Sequence, residues 1–229
     1  APEWDAEGRP ERLPFVVSGA GRPVTGAEPM FPDLARDDVF RLETRRLWLR
    51  WPRPQDVVFI AQAAADERVA AGTCEIPQPY PEGAAAEFVL TARNGNSEGK
   101  QLVLVLAPRE APGLAIGSIA LTPICAQTAR LRFWLGHSFW GRGLMTEAAQ
   151  NLLDLAFRLT GLEQIRAQTQ TANPAALRVL AKCGFAASDE QSGGGAFEPV
   201  RFAFDRPSWS SLYVRSGADA QDPMNVARA

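Results

Sequence analysis

The residues with the most chemical potential lie between Phe133 and Ala148. Phe133-Trp134-Leu135 closes an apolar run of strand type, Gly136-His137-Ser138-Phe139-Trp140 turns, and Gly141-Arg142-Gly143 leads into Leu144-Met145-Thr146-Glu147-Ala148, the onset of a helical repeat. At a helix N-terminus the first backbone N–H groups have no partner within the helix and the dipole is positive. Glycines there let the main chain close on a diphosphate. Arg142 would add a cation to such a site and Thr146 a hydroxyl donor. The same glycine pair serves equally as a plain strand-to-helix turn, and alone it does not choose between the two uses. His137, the single histidine, stands just before the loop and is the candidate for proton handling near neutral pH; a turn residue without catalytic duty is the alternative. Asn173 precedes Pro174, the arrangement of an N-cap with proline at the first helical position, and capping alone accounts for both residues. Glu147 in a first helical turn is favoured by the dipole without further duty. Cys74, Cys125 and Cys183 are odd in number and widely spaced, so they suit neither a disulfide framework nor a paired metal site. Each is expected as a buried thiol, and no metal is expected.

A strand, a turn and a helix are needed to position these groups, and the hydrophobic pattern contains them. Leu47 and Leu49 alternate with Trp48 and Arg50 as a strand, which Pro52 and Pro54 end. Asp56 stands where a helix cap is wanted, ahead of Val57, Ile60, Ala61 and Ala64 at helical spacing. Pro77, Pro79 and Pro81 separate that helix from a second one whose face holds Ala84, Ala85, Phe88 and Val89, ending within 94–99. Runs at 101–107, 114–121 and 131–135 predict an antiparallel meander with a turn at 108–113. Leu144, Ala148, Leu152, Leu155 and Leu159 then share one face of a long helix, for which Gly161 is the expected stop. Ile165, Ala167 and Thr169 alternate as a strand, Asn173 opens a helix that Gly184 closes, and a strand pair near Phe202 and Phe204 ends an α+β domain.

Domain limits follow from composition. Residues 1–38 are rich in glycine and proline without helical or strand period and read as an irregular arm, 39–210 as the domain, and 211–229 as a tail. With 46% hydrophobic and 22% charged residues the chain has the composition of a globular protein. No apolar stretch approaches the roughly 20 residues that span a bilayer, and residues 1–12 lack the form of a secretory leader, so a cytoplasmic protein without membrane insertion is expected. A formal charge of −2 and a pI near 5.6 argue against an extended phosphate-binding face, hence against nucleic acid as the main ligand.

The segment Trp140-Gly141-Arg142-Gly143-Leu144-Met145-Thr146-Glu147-Ala148 resembles the coenzyme A diphosphate loop of the GNAT N-acetyltransferases, in particular the type similar to ribosomal-protein N-terminal acetyltransferases. Leu42-Glu43-Thr44-Arg45-Arg46-Leu47, Ile76-Pro77-Gln78-Pro79-Tyr80 and Asn173 through Gly184-Phe185 are similar to that type's opening strand, second-helix entry and terminal helix motif. The likeness covers about residues 40–205. It implies a central mixed, mostly antiparallel sheet with flanking helices, splayed at the coenzyme A site. It also implies direct acyl transfer in a ternary complex, from acetyl-CoA as co-substrate to a primary amine of a protein N-terminus or small molecule. On this resemblance Trp134 and Leu135 expose backbone groups to the pantetheine arm, with the Leu135 N–H as oxyanion donor. Trp140 borders the cofactor, and the amides of Gly141, Arg142, Gly143, Leu144, Met145 and Thr146 hold the diphosphate. Asn173 contacts the pantetheine or holds the helix beside it. The chain departs from the pattern where relatives carry an acid or a proton donor: Arg130, Ala176 and Leu180 fill those positions. A coenzyme A-binding sensor or scaffold without catalysis is therefore the competing reading. A dinucleotide site is disfavoured, because no Gly-x-Gly-x-x-Gly follows a first strand. A homodimer is open, as is the arm's role.

Overall fold

The alternating runs pair into one sheet. The computed structural model describes residues 30, 31, 40–73, 76–188 and 199–214. Among these, strands β1 (Arg41–Glu43), β2 (Leu47–Arg50), β3 (Leu102–Pro108), β4 (Gly117–Cys125), β5 (Thr128–Leu135), β6 (Gln164–Gln170), β7 (Ala186–Ala187) and β8 (Pro199–Asp205) lie in the order β1-β2-β3-β4-β5-β6-β8-β7. Every neighbouring pair is antiparallel except β5 and β6, which run parallel. The expected mixed, mostly antiparallel α+β sheet is present.

Helices cover both faces: α1 (Val57–Ala64), α2 (Glu67–Ala71), α3 (Ala84–Ser97), α4 (Leu144–Leu159), α5 (Pro174–Lys182) and the short α6 (Arg206–Trp209). Strand alternation sends Leu104, Leu106, Ile119, Leu131 and Ile165 to one side, against Ala148, Leu152, Leu153, Ala156 and Phe157 of α4. Burying each large apolar side chain there contributes about 1.5–3 kcal/mol. On the opposite side Val103 packs with Ile60, Phe88, Val89 and Ala92 of α1 and α3. The side chain of Asn96 fastens α3 to β3, donating to the Val103 carbonyl at 2.9 Å and accepting from its N–H at 2.8 Å.

Several expectations need correction. The opening strand is a hairpin, since β1 precedes β2. The helix α2, capped by Asp66 accepting from Arg68 N, was too short for periodicity to reveal. Asp56 does not cap α1 with its side chain. It is fully buried and takes a bidentate ion pair from Arg50 at 2.7 and 2.8 Å, together with the Arg53 N–H at 2.7 Å. β4 starts later than 114 and runs on through Pro123, whose missing N–H coincides with a register shift against β5. Along α4 the buried stripe passes through Leu153, Ala156 and Phe157, leaving Leu159 45% exposed. That helix is stopped by Thr160 in extended conformation, not by Gly161. The Thr160 hydroxyl donates to Ala156 O, and Arg206 donates to the carbonyls of Phe157, Thr160 and Leu162. Of the expected arm, only Met30 and Phe31 fall within the described residues, and Phe31 is buried in the main core. The tail beyond 214 lies outside the described residues.

Candidate functional site

The parallel pair β5/β6 is joined only from Thr128–Leu131 to Gln164–Ala167, although β5 continues to Leu135 and β6 to Gln170. Past Leu131 the strands part, and a cleft of about 520 Å³ opens between them. Phe133, Trp134 and Leu135 form one wall, Gln168, Thr169 and Gln170 the other, with Ala176 and Val179 of α5 and Val69 and Ile76 nearby.

The β4/β5 ladder decides which main-chain groups face this split. Gly136 N donates to Ile116 O at 2.8 Å, and Leu135 stands opposite Gly117. Antiparallel alternation then ties Trp134 to Ser118 and turns the N–H and C=O of Phe133 and Leu135 away from β4, toward the split. The Leu135 carbonyl accepts from the Trp140 indole Nε1 at 2.6 Å, which leaves the Leu135 N–H facing the cleft. Trp134 therefore does not present main-chain groups there as expected; Phe133 takes its place, and the Trp134 indole packs against the α1/α3 cluster. Gly117 permits the close pairing, since a Cβ at that position would stand 2.5 Å from the Trp134 carbonyl oxygen.

At the far end of the split α4 begins. Gly141 and Gly143 take φ of 75° and 71°, a region that side-chain-bearing residues avoid. Gly143 is the N-cap and supplies no side-chain oxygen, and the first intrahelical bond shown runs from Glu147 N to Gly143 O. The N–H groups of Leu144, Met145 and Thr146 therefore precede the helical ladder, and these residues line the cleft with Gly141, Gly143 and Trp140. The Arg142 guanidinium lies 5.6 Å from the Phe139 ring centroid instead of over the cleft. His137 packs its ring against Trp140 at 4.9 Å and is not among the cleft-lining residues.

Two ties hold the site, and pattern alone did not indicate either. Glu147 accepts from Thr44 Oγ1, Arg46 N and Arg46 Nε, each at 2.7 Å, while Arg46 Nη1 donates to the Arg142 carbonyl at 2.9 Å. Burial pushes the Glu147 carboxyl up, and these hydrogen bonds more than offset it, leaving it below the usual glutamate value. The β1–β2 turn thus clamps the glycine loop, and the only signal in the sequence was the opening motif around Thr44 and Arg46. Asn173 does cap α5, accepting from Ala176 N at 3.0 Å, and its Nδ2 also donates to the Gly72 carbonyl at 2.6 Å. One side chain joins α5 to the end of α2.

Among the described residues, no Asp, Glu or His lines the cleft, and no group of three or more potential metal ligands is found. Burial pushes the Tyr80 hydroxyl up to about 12 and the Cys183 thiol up to about 12, so both stay protonated at neutral pH; Cys183 is the expected core thiol. Cys125 is a correction, for it is exposed, and hydrogen bonds from Thr128 and Gln127 hold its thiol below the usual value. Cys74 lies outside the described residues, as does Glu75.

Residues 46–186, which run from Arg46 of the clamp through the split and α5, match the family model described as an acetyltransferase (GNAT) domain. The chain belongs to the GNAT acetyltransferase family. Within it, the chain is 37% identical over 73 residues to a probable N-acetyltransferase, YjcK, of Bacillus subtilis; that match spans 31% of this chain and 40% of the relative's length. Two solved GNAT structures share the fold. The ribosomal-protein α-N-acetyltransferase RimL in complex with coenzyme A aligns with a TM-score of 0.63 and 16% identity, over 72% of this chain and 98% of its own. Spermidine N-acetyltransferase from Vibrio cholerae in complex with CoA and spermine aligns with a TM-score of 0.59 and 18% identity, over 71% of this chain and 97% of its own. No helix among the described residues is long and apolar enough to cross a membrane.

Proposed function

We propose that this protein is an acetyl-CoA-dependent N-acetyltransferase acting by direct transfer in a ternary complex, on a primary amine of a small molecule or a protein N-terminus. The observation that carries the reading is the β5/β6 split running into a glycine-capped helix start, since a thioester arm fits the first and a diphosphate the second. The N–H groups of Leu144, Met145 and Thr146, approached through Gly141, Arg142 and Gly143, hold the diphosphate. The pantetheine arm lies along β5, where Phe133 and Leu135 offer main-chain partners and Trp140 borders the entrance. The amine attacks the thioester carbonyl, the Leu135 or Phe133 N–H stabilises the oxyanion, and the carbonyl re-forms as the coenzyme A thiolate leaves. The nitrogen's proton passes through water, because the cleft offers no carboxylate or imidazole among its described residues. His137 is not given a role. The two solved relatives named above act, by their titles, on a ribosomal protein and on spermidine, which leaves the acceptor class open at this level.

Calorimetric titration with acetyl-CoA tests the reading, beside a Gly143→Val variant that places a β-branched side chain at φ of 71°. Micromolar binding by the wild type, weakened about tenfold or more in the variant, is expected. Absence of binding by the wild type would sink the assignment. That no acid or base stands among the described cleft residues favours one second reading, a coenzyme A-binding sensor without turnover; thiol release with any amine rejects it.

A further inference from the structure

Beyond the split, the cleft extends into an apolar recess on the sheet face away from α4. Val103 of β3 stands opposite Ala120 of β4, and Trp134 of β5 stands opposite Ser118, two positions along β4 from Ala120, so these side chains share one face. Val69 of α2, Phe88 of α3 and Ile76 between those helices cover them, and all six apolar residues border the cleft. Val69, Ile76, Phe88 and Val103 are nonetheless buried, so the space there runs beneath the surface. They belong to two apolar clusters, one holding Phe88 and Val103 and the other Val69 and Ile76, and Trp134 packs against both. The hydroxyls on this wall are already bonded within the protein. Ser118 Oγ donates to the Leu104 carbonyl at 3.0 Å, and Thr73 Oγ1 donates to the Ala70 carbonyl at 3.5 Å while accepting from Ile76 N at 3.3 Å. Arg132, opposite Ala120, is engaged within the chain as well. Leu104, Ile119 and Leu131 face the other way, against α4.

We infer that the acceptor is an amine bearing an apolar group, aliphatic or aromatic, which fills this recess while its nitrogen stays at the split. This rests on the acetyltransferase reading and deepens it. A thioester arm that comes through the split from the start of α4 leaves the opposite face of the sheet to the nucleophile, so the recess falls to the acceptor and not to the acyl group. Walls of this kind favour each methylene removed from water and discriminate against a substituent that must keep its hydrogen bonds. They also disfavour the ammonium form of a bound amine, which brings the nitrogen in unprotonated where no Asp, Glu or His stands among the described cleft residues.

The test is thiol release by the full-length protein from acetyl-CoA with propylamine, pentylamine, phenethylamine, aminoethoxyethanol, spermidine, and tripeptides beginning with leucine or with serine. Each methylene between propylamine and pentylamine is expected to raise kcat/KM about fourfold, and pentylamine and phenethylamine should exceed aminoethoxyethanol and spermidine by about tenfold or more. Turnover of the leucine-first tripeptide far above the serine-first one, with the alkylamines slow, assigns the apolar group to a protein N-terminus; fast turnover of the alkylamines assigns it to a small molecule. Ala120→Leu fills the recess and should bring the pentylamine-to-propylamine ratio toward unity. If that variant fails to fold, Ile76→Ala widens the recess and should raise phenethylamine relative to propylamine, and the wild-type series stands without either. Polar amines matching the apolar ones, ratios unmoved in folded variants, or hexanoyl-CoA outrunning acetyl-CoA with propylamine, which would give the recess to the acyl chain, would each overturn the inference while leaving acyl transfer intact. Absence of both acetyl-CoA binding and turnover would overturn both.

Discussion

Replacing Glu147 by alanine removes three hydrogen bonds of 2.7 Å, one of which is also the ion pair with Arg46. Hydrogen bonds to a charged acceptor contribute about 1.5–3 kcal/mol each, yet the three do not count equally. Thr44 Oγ1 can turn wholly to the Leu47 carbonyl, which it already approaches at 3.2 Å. The Arg46 side chain is 37% exposed, so water recovers much of its share. The part-buried Arg46 N–H loses its carboxylate acceptor outright. A loss of about 2–3 kcal/mol is therefore expected, read from urea melts, or a fall of about 4–12 °C in Tm for a domain of this size. Because the folded carboxyl sits below its ordinary value, its contribution is fully present above the unfolded glutamate value and is lost as pH falls through the folded one. The wild-type and Glu147→Ala stability curves should accordingly converge in acid and stay parallel from pH 6 to 8. Since Arg46 also holds the Arg142 carbonyl, freeing it should weaken acetyl-CoA binding by about threefold to tenfold. A stability loss below about 0.5 kcal/mol with unchanged acetyl-CoA affinity would refute the clamp, because a change of that size is what ordinary surface substitutions give.

Asp56→Ala strands the buried Arg50 guanidinium and is expected to cost about 3–5 kcal/mol in urea melts, while Glu43→Ala, at a half-exposed pair with Arg109, should cost under about 1 kcal/mol. Gly117→Ala forces β4 and β5 apart at the Trp134 carbonyl, so kcat should fall more than acetyl-CoA affinity, as thiol-release kinetics set against calorimetry would show. Peptide mapping after brief iodoacetamide treatment at pH 7.5 should find Cys125 labelled well before Cys183, whose thiol is buried and pushed up to about 12.

Elements with long periods were legible in the sequence. The α4 start at Leu144, the cap at Asn173 and the stop at Gly184 follow from local chemistry that no distant contact overrides. Short elements were not legible, because β1 and α2 are held by what they pack against and not by their own pattern. Distant partnerships left the least trace. Glu147 read as a dipole-compatible residue, and only its contact with Arg46, 101 positions away, reveals the clamp. The stop of α4 was misassigned to Gly161 because Arg206 supplies the cap from another part of the chain. In the site, the glycine loop could be read from residue order, but which strand residues face the split could not. That depends on the β4/β5 register, where a shift of one residue exchanges Trp134 for Phe133.

The bond from Asn173 to the Gly72 carbonyl is a crosspiece between two residues that border the cleft. Gly72 belongs to the half of the chain before the central strands and Asn173 to the half after them, and without a crosspiece each could drift on its own. With it, the gap into which a thioester and an amine must both fit is set before either arrives. On the proposed reading, selectivity for acyl chain length becomes a matter of gauge, and a bulkier acyl group is expected to strain this 2.6 Å hydrogen bond. Shortening the crosspiece, as in Asn173→Ser, should loosen that discrimination before it abolishes transfer.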